Sequence, residues 1–358
     1  MDDKLEAAIE KLKIDCDNYL RTILALQALA HELQWNDETG SRSTDVRVFF
    51  GRRFDTSSKN KIICKKQVTP DLAVQFPQRH GVLVEAKSSI PKSRSHRSQI
   101  IEQLQKYDDD LFGWDTPDSS MLSHDIVLLT DSVLGNPLRN LIRSEIEKGV
   151  YSFDRRFSLV KFAVLDQRNA AVTLELNYGS LSSPVKTTKL SDTVAIHLRY
   201  LVSGPMTNIR LYDAEPPYPY LLNLIYEYIP SMLSEGEVLQ MKEGETTVSL
   251  SIPEFASRLS IAFGPGQKGE REPEIPRKNW VRRALDFFVK LQWAIKDKAS
   301  QSYYYTVKNR RNPFQQFLRV CAEDILKGAK KKSPGQLALA YPDSKDLDYD
   351  VDGTALTP

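Results

Sequence analysis

Two short apolar segments carry two acids and a lysine whose types suit the cleavage of a phosphodiester bond. Asp71 follows Pro70 in the first segment, and Glu85 and Lys87 stand two residues apart in the second. Carboxylates can hold a divalent cation, which polarises a phosphoryl oxygen and activates water, while a lysine offsets the developing negative charge. These residues are therefore the first candidates for a catalytic site.

The two segments are typical of the paired strands of a β-hairpin. Side chains alternate along a strand, so the acid and the lysine of the second segment share one face. A strict four-residue turn over 77–80 would set Asp71 opposite Ala86, on the wrong face of the hairpin. We therefore expect a bulge or a different turn length, and a kink at Pro70 is compatible with either.

Two carboxylates that lie close together repel each other when bare, so the hairpin predicts a divalent metal ion held by Asp71 and Glu85. Ligation by oxygen alone favours Mg2+ or Mn2+. Lys87 would then contact the scissile phosphate or position the attacking water. The simpler interpretation is a surface hairpin on which the acid and the lysine form a solvated pair.

The elements around the hairpin predict a mixed α/β domain over residues 1–213. Apolar periodicity and turn residues give the order α-β-β-β-α-β-α-β-β. The principal segments are a helix over 2–35, strands near 45–50, 62–76 and 82–88, a helix over 98–112, a strand over 124–130, a helix near 136–148, and strands near 158–165 and 171–176. The segment 194–202 fits a strand or a short helix. Consecutive prolines in 214–219 predict a linker.

At this point the chain resembles the PD-(D/E)xK nuclease superfamily. The resemblance rests on Pro70-Asp71, on Glu85 and Lys87 separated by one residue, and on the α-β-β-β-α-β order, and it covers roughly residues 20–165. It implies a restriction-endonuclease-like mixed sheet flanked by helices. It also implies that Asp71 and Glu85 bind magnesium and that Lys87 is the catalytic lysine.

The resemblance implies two further site positions. Many members carry a glutamate on the helix before the first strand, and Glu32 stands in such a place as a third candidate metal ligand. Some members carry a glutamine and a tyrosine four residues apart on the helix after the lysine. Gln103 and Tyr107 match this spacing and share one helix face, so Gln103 is a candidate catalytic residue. A purely structural role for both is an equally good interpretation.

Residues 214–329 predict a second, mainly α domain whose order of elements resembles a winged helix. Helices over 220–233, 253–263 and 277–289 surround a strand at 246–251 and precede a hairpin over 291–307, with a last helix over 312–327. The third helix of such domains commonly enters the major groove of DNA. The basic residues of this helix, of the hairpin and of the loop after Lys87 are the candidate DNA contacts: Arg277, Lys278, Arg282, Arg283, Lys296, Lys298, Lys92, Arg94 and Arg97. A protein-interaction domain with solvated arginines is the alternative.

Composition sets the limits of these hypotheses. The 358 residues carry a net charge of +2, so any surface that binds phosphates must be local. No apolar run reaches the length of a membrane span, and the N-terminus lacks the layout of a signal peptide. Three widely spaced cysteines indicate a reducing compartment, and we expect a cytoplasmic protein. Residues 330–358 predict a flexible acidic tail.

The leading hypothesis is a Mg2+- or Mn2+-dependent DNA endonuclease of restriction, defence, recombination or repair, whose winged-helix-like domain positions DNA. A protein partner in a multi-subunit system and a homodimer are both compatible with it. The alternatives are a non-catalytic DNA-binding regulator and a protein-assembly subunit with a degenerate nuclease fold. The regulator would bind DNA without metal, with the salt dependence of phosphate contacts.

Overall fold

The structure, a computed structural model, describes most of the chain. The described residues are 3–36, 39–56, 67–87, 94–115, 122–149, 151–165, 170–182, 190, 193–202, 209–234, 238–242, 245–264, 271, 274–297, 299–300, 302–308 and 310–330. The predicted acidic tail lies outside these ranges, apart from its first residue. Among the described helices, none combines the length and apolarity that a bilayer crossing requires.

The first part of the chain folds around a mixed sheet of seven strands. Its elements are α1 (Asp3–Gln34), β1 (Trp35–Asn36), β2 (Ser41–Arg42), β3 (Arg47–Phe50), β4 (Phe54–Thr56), β5 (Gln67–Val68), β6 (Leu72–Phe76), β7 (His80–Lys87), α2 (Arg94–Lys106), β8 (Leu111–Phe112), β9 (Ser123–Asp131), α3 (Ser132–Glu147), β10 (Phe157–Leu165), β11 (Ala171–Gly179), β12 (Val194–His197) and α4 (Leu198–Val202). The strand order is β12-β11-β10-β9-β7-β6-β3, and β9 runs parallel to β7 and β10. The predicted mixed α/β class is therefore confirmed, and short strands that were not predicted lie between the longer elements.

Helices cover both faces of this sheet, which explains why its central strands are apolar throughout. On one face, Val82 and Val84 of β7 belong to the apolar cluster that contains α1. On the other face, Leu83 packs in a second cluster with Leu104 of α2 and Leu138 of α3. The alternation along β7 thus fixes which of its side chains face α2.

The second part builds a four-stranded antiparallel sheet among helices. Its elements are α5 (Tyr218–Ser234), β13 (Val238–Lys242), β14 (Glu245–Leu250), α6 (Ile252–Phe263), α7 (Lys278–Lys290), β15 (Ala294–Lys296), β16 (Tyr303–Val307) and α8 (Pro313–Lys330). The strand order is β13-β14-β16-β15. Its buried side chains continue the apolar cluster of the α1 face, and Tyr19 of α1 stacks on Tyr212 with ring centroids 4.9 Å apart. The division at residue 214 stays a prediction.

Two local predictions were wrong. The helix predicted over 98–112 ends at Lys106, and Leu111–Phe112 forms the short strand β8. Strand β13 was missed altogether. Ser251 is the N-cap residue of α6, but its hydroxyl contacts the Glu254 carboxylate at 3.3 Å and makes no bond to the helix backbone. The segment 194–202 contains both elements considered for it, β12 followed by α4.

A buried histidine on β9 should make the fold sensitive to acid. The His124 side chain is 2% exposed, and its Nε2 lies 2.6 Å from the Tyr107 carbonyl oxygen. Burial, helped by the charge of Arg155, lowers the pKa of His124 to about 4 from the usual 6.5. Between these values the unfolded chain binds a proton that the folded chain does not, so acid favours unfolding.

We therefore expect the free energy of unfolding to fall by about 3 kcal/mol for this group as the pH drops from 6.5 to 4. Urea titrations at several pH values measure the effect. The variant His124→Gln keeps an N–H donor without titrating in this range, so it should show a shallower pH dependence. The pH dependence that remains in His124→Gln includes the contribution of His31, because burial also lowers the pKa of His31 to about 4. If the unfolding free energies of wild type and His124→Gln depend on pH in the same way, the assignment of this effect to His124 is wrong.

Candidate active site

The turn between β6 and β7 sets the register of the two acids. Phe76 pairs with His80, so the turn has three residues, and its last residue, Arg79, adopts φ +57°. This is the left-handed conformation that three-residue hairpin turns use. The turn is one residue shorter than the strict four-residue case, so the next step of the ladder sets Asp71 opposite Glu85. A different turn length, one of the two expected solutions, therefore resolves the register conflict.

Asp71 is held between the strands on either side of it. Its Oδ2 accepts a hydrogen bond from the Ala86 backbone N–H at 2.7 Å, and its carbonyl oxygen accepts one from Gly51 N–H at 3.3 Å. The residue is 8% exposed. Pro70 directly precedes it, where a residue without an N–H group can interrupt the ladder. The Asp71 carboxylate is thus fixed beside the backbone of β7, next to Glu85.

Glu85 is the centre of a hydrogen-bond network. Its Oε1 accepts from Lys87 Nζ at 2.7 Å and from Gln103 Nε2 at 2.6 Å, and its Oε2 accepts from the Tyr107 hydroxyl at 2.6 Å. Lys87 Nζ also donates to Gln103 Oε1 at 3.1 Å. The Glu85 side chain is 3% exposed and that of Lys87 is 24% exposed. A carboxylate this deeply buried needs such donors to offset its lost hydration.

The end of α2 supplies two of these donors, because Gln103 lies in its last turn and Tyr107 directly follows it, four residues later. Tyr107 is 1% exposed, and its hydroxyl also lies 3.2 Å from the Thr69 carbonyl oxygen. Burial, and then the negative charge of Glu85, raise the pKa of Tyr107 well above 10. The phenol therefore stays protonated and can donate to Glu85 at neutral pH.

The parallel pairing of β7 with β9 places this network at the carboxyl end of both strands. Lys87 lies beside Thr130, whose hydroxyl donates to the Lys87 carbonyl oxygen at 3.0 Å. Ligands of sheets with parallel strands commonly bind at this end. Sequence reasoning missed Thr130, since only the register of two distant strands reveals its contact.

A second missed residue lies in the segment before α5. Tyr212 is 6% exposed, and burial raises its pKa well above 10, with further contributions from the negative charges of Asp71 and Glu85. Tyr19 of α1, stacked on Tyr212, experiences the charge of Asp71 in the same way. The acidic pair therefore has tyrosines of α1 and of the 209–215 segment near it.

The chemistry of the donors suits a hard divalent cation. Within the described ranges, no group of three or more His, Cys, Asp or Glu side chains is placed to hold a metal ion. Mg2+ needs no such cage, because it usually keeps several waters and uses one or two carboxylates with substrate phosphates. The carboxylates of Asp71 and Glu85 fit that requirement. Glu32 is 8% exposed on α1, and its role as a ligand stays a prediction.

The predicted DNA contacts of α7 and its hairpin mostly have acidic partners. Four ion pairs join them to carboxylates of the same chain: Arg277 with Asp213, Arg283 with Glu215, Lys278 with Glu274, and Lys296 with Asp286. Arg277 and Arg283 thereby hold the segment before α5 against α7. Arg282 is exposed, and no partner for it occurs among the described residues.

The remaining basic candidates are only partly described. Lys92 and Lys298 lie outside the described residues, and Arg94 and Arg97 lie on α2 with side chains that are not described. A nucleic-acid interface at these positions stays a prediction.

Comparison of the chain with protein-family models, with curated proteins and with solved structures gave no match.

Proposed function

We infer that this protein is a metal-dependent endodeoxyribonuclease. The observation that carries the proposal is the position of Asp71, which directly precedes β6 and accepts a hydrogen bond from the Ala86 backbone N–H of β7. One step beyond the Leu72–Val84 pair, it faces Glu85, which shares a hydrogen-bond network with Lys87. Glu85 is buried, which argues against a solvated surface pair. Two carboxylates and a lysine at the carboxyl end of a central strand suit phosphodiester hydrolysis. The nuclease resemblance agrees with this arrangement, since α1, β3, β6, β7, α2 and β9 follow the α-β-β-β-α-β order.

Each residue of the site would have a distinct task. Asp71 and Glu85 would hold Mg2+ or Mn2+, which supplies Lewis-acid stabilisation of the phosphate and a more acidic water. Lys87 would donate to the phosphate or to the attacking water and offset developing negative charge. Gln103 and Tyr107 would orient Glu85, because each donates to one of its oxygens.

The second part of the chain would position DNA. Its order of helix, hairpin, two helices and hairpin supports a winged-helix-like domain with α7 as the third helix. The ion pairs of Arg277 and Arg283 reduce the charge that α7 can offer to phosphates. Exposed Arg282 is therefore the strongest candidate contact on this helix.

A non-catalytic DNA-binding regulator is the second candidate. The observation in its favour is that both Glu85 oxygens already accept hydrogen bonds from side chains. In such a protein the network would be structural, and DNA binding would need no metal.

Incubation of the wild-type protein with supercoiled and linear DNA separates the candidates. With Mg2+ or Mn2+ we expect nicked or linearised products, and with EDTA we expect none. Binding to DNA without cleavage under every metal condition would favour the regulator. Absence of both cleavage and binding would favour a protein-assembly subunit.

A further inference from the structure

A group of arginines flanks the candidate active site on the side of β3. Gly51 directly follows β3, and its backbone N–H donates to the Asp71 carbonyl oxygen at 3.3 Å. Arg53 lies two residues after Gly51, in the segment that joins β3 to β4. Two residues span at most about 7 Å, so the backbone of Arg53 lies within roughly 7 Å of Gly51.

The second part of the chain contributes another arginine at the same place. The Arg271 carbonyl oxygen accepts from Arg53 N–H at 2.9 Å, and its guanidinium pairs with Asp55 at 3.0 Å. A Cβ added at Gly113 would lie 2.6 Å from Arg271 Nη1, and the Gly113 carbonyl accepts from Arg52 Nε at 2.7 Å. The guanidinium groups of Arg52 and Arg271 therefore both lie against Gly113.

The charges of this group do not balance. Asp55 is the carboxylate that pairs with Arg271, while Arg53 is exposed and has no side-chain partner among the described residues. Arg52 is 8% exposed and lies over the Phe49 ring at 4.1 Å, which is a packing role. The Arg271 side chain is 39% exposed. Arg53 and Arg271 together carry two positive charges against the single negative charge of Asp55, which leaves a net positive potential beside the acidic pair.

We propose that Arg53 and Arg271 bind the phosphate backbone of the nucleic acid that is cut at Asp71 and Glu85, an inference that rests on the proposed function. The forked donors of arginine suit phosphate oxygens, and a strand entering the site must pass acids that repel it. Positive charge at Arg53, two residues from Gly51 and its contact with Asp71, offsets that repulsion. The substrate surface would then be assembled from both parts of the chain, since Arg271 belongs to the segment between α6 and α7.

Binding in EDTA isolates this role from catalysis. Fluorescence anisotropy of a labelled duplex is measured over a series of salt concentrations for wild type, Arg53→Gln and Arg271→Gln. Each variant should bind roughly fivefold more weakly, and the slope of log K against log salt should shrink by about 1. The matched control is Arg319→Gln, an exposed arginine of α8 that also pairs with a carboxylate, Glu323, and it should bind as wild type does.

A further variant tests whether Arg271 binds phosphate or only stabilises the fold through its ion pair with Asp55. Asp55→Asn breaks the same ion pair as Arg271→Gln but frees the guanidinium, so it should bind DNA at least as tightly as wild type. If Asp55→Asn and Arg271→Gln weaken binding equally, the pair is structural and the inference is overturned. Arg53 is exposed and outside this pair, so Arg53→Gln remains informative if Arg271→Gln does not fold.

The outcomes also distinguish this inference from the proposed function. If wild type cuts and binds DNA while Arg53→Gln and Arg271→Gln match Arg319→Gln, the inference alone is overturned. If wild type binds no DNA even at the lowest salt concentration, the proposed function fails and this inference fails with it.

Discussion

Replacement of Lys87 with alanine is expected to lower the rate of metal-dependent DNA cleavage by roughly a thousandfold. The lysine is the cation of the network, with its Nζ 2.7 Å from Glu85 and its side chain 24% exposed at the carboxyl end of β7. Without it, the network has no side-chain cation to help the metal ion offset the charge that would develop on the phosphate. Initial rates of plasmid nicking with saturating Mg2+ measure the effect.

Two further variants test whether the loss of cleavage is specific to the proposed site. Lys106→Ala removes an exposed lysine of α2 next to the site, and it should cut DNA at the wild-type rate. Glu85→Gln removes the central charge with little change of shape, so it should lose cleavage as Lys87→Ala does. DNA binding in EDTA should survive in Lys87→Ala.

Thermal unfolding shows whether Lys87→Ala loses activity only because it does not fold. Removal of Lys87 leaves the buried Glu85 with fewer donors, which costs about 1–3 kcal/mol of stability. A Lys87→Ala protein that is folded and inactive supports the assignment. A folded Lys87→Ala protein that cuts at the wild-type rate would show that the reaction, if any, occurs elsewhere.

The largest effect on stability is expected at Gly81, near the start of β7. A Cβ at this position would lie 2.3 Å from the Trp114 ring, and Trp114 is 3% exposed and packs against Phe54 with ring centroids 4.7 Å apart. The ring has little room to move, so Gly81→Ala should lose about 3 kcal/mol of unfolding free energy. Urea denaturation measures the loss.

A double-mutant cycle tests whether the clash is the cause. Trp114→Leu alone should also destabilise, by about 3 kcal/mol, because it leaves a cavity. The double variant should lose at least 1 kcal/mol less than the sum of the single losses, since leucine leaves space for the new methyl group. If the losses of unfolding free energy in the two single variants add up in the double variant, the clash is not the cause.

Gly328→Ala provides the matched control for this glycine. Gly328 lies exposed in α8 with open space around its would-be Cβ. Alanine should therefore stabilise the helix by about 0.5–1 kcal/mol through its higher propensity. The same substitution at the two sites should have opposite signs.

Local patterns were enough to predict most elements near the site. Periodic apolar residues located α1, and short apolar runs located β7 and β9 within a few residues. The extended segment predicted over 62–76 contains β5 and β6. The spacing of Gln103 and Tyr107 predicted that they would share a helix face, because a helix repeats about every four residues. The short strands β8 and β13 escaped prediction, since two to five residues carry too little periodicity.

The amino-acid sequence alone predicted the mixed α/β class, the hairpin that carries the two acids and the lysine, and Gln103 and Tyr107 as candidate site positions. The folded structure alone reveals the register, because a change of one residue in turn length moves every side chain of a strand to the other face. It likewise reveals that Arg271 reaches Asp55 and that Arg277 reaches Asp213. Contacts between distant segments depend on how helices and sheets pack, and no local pattern carries that information.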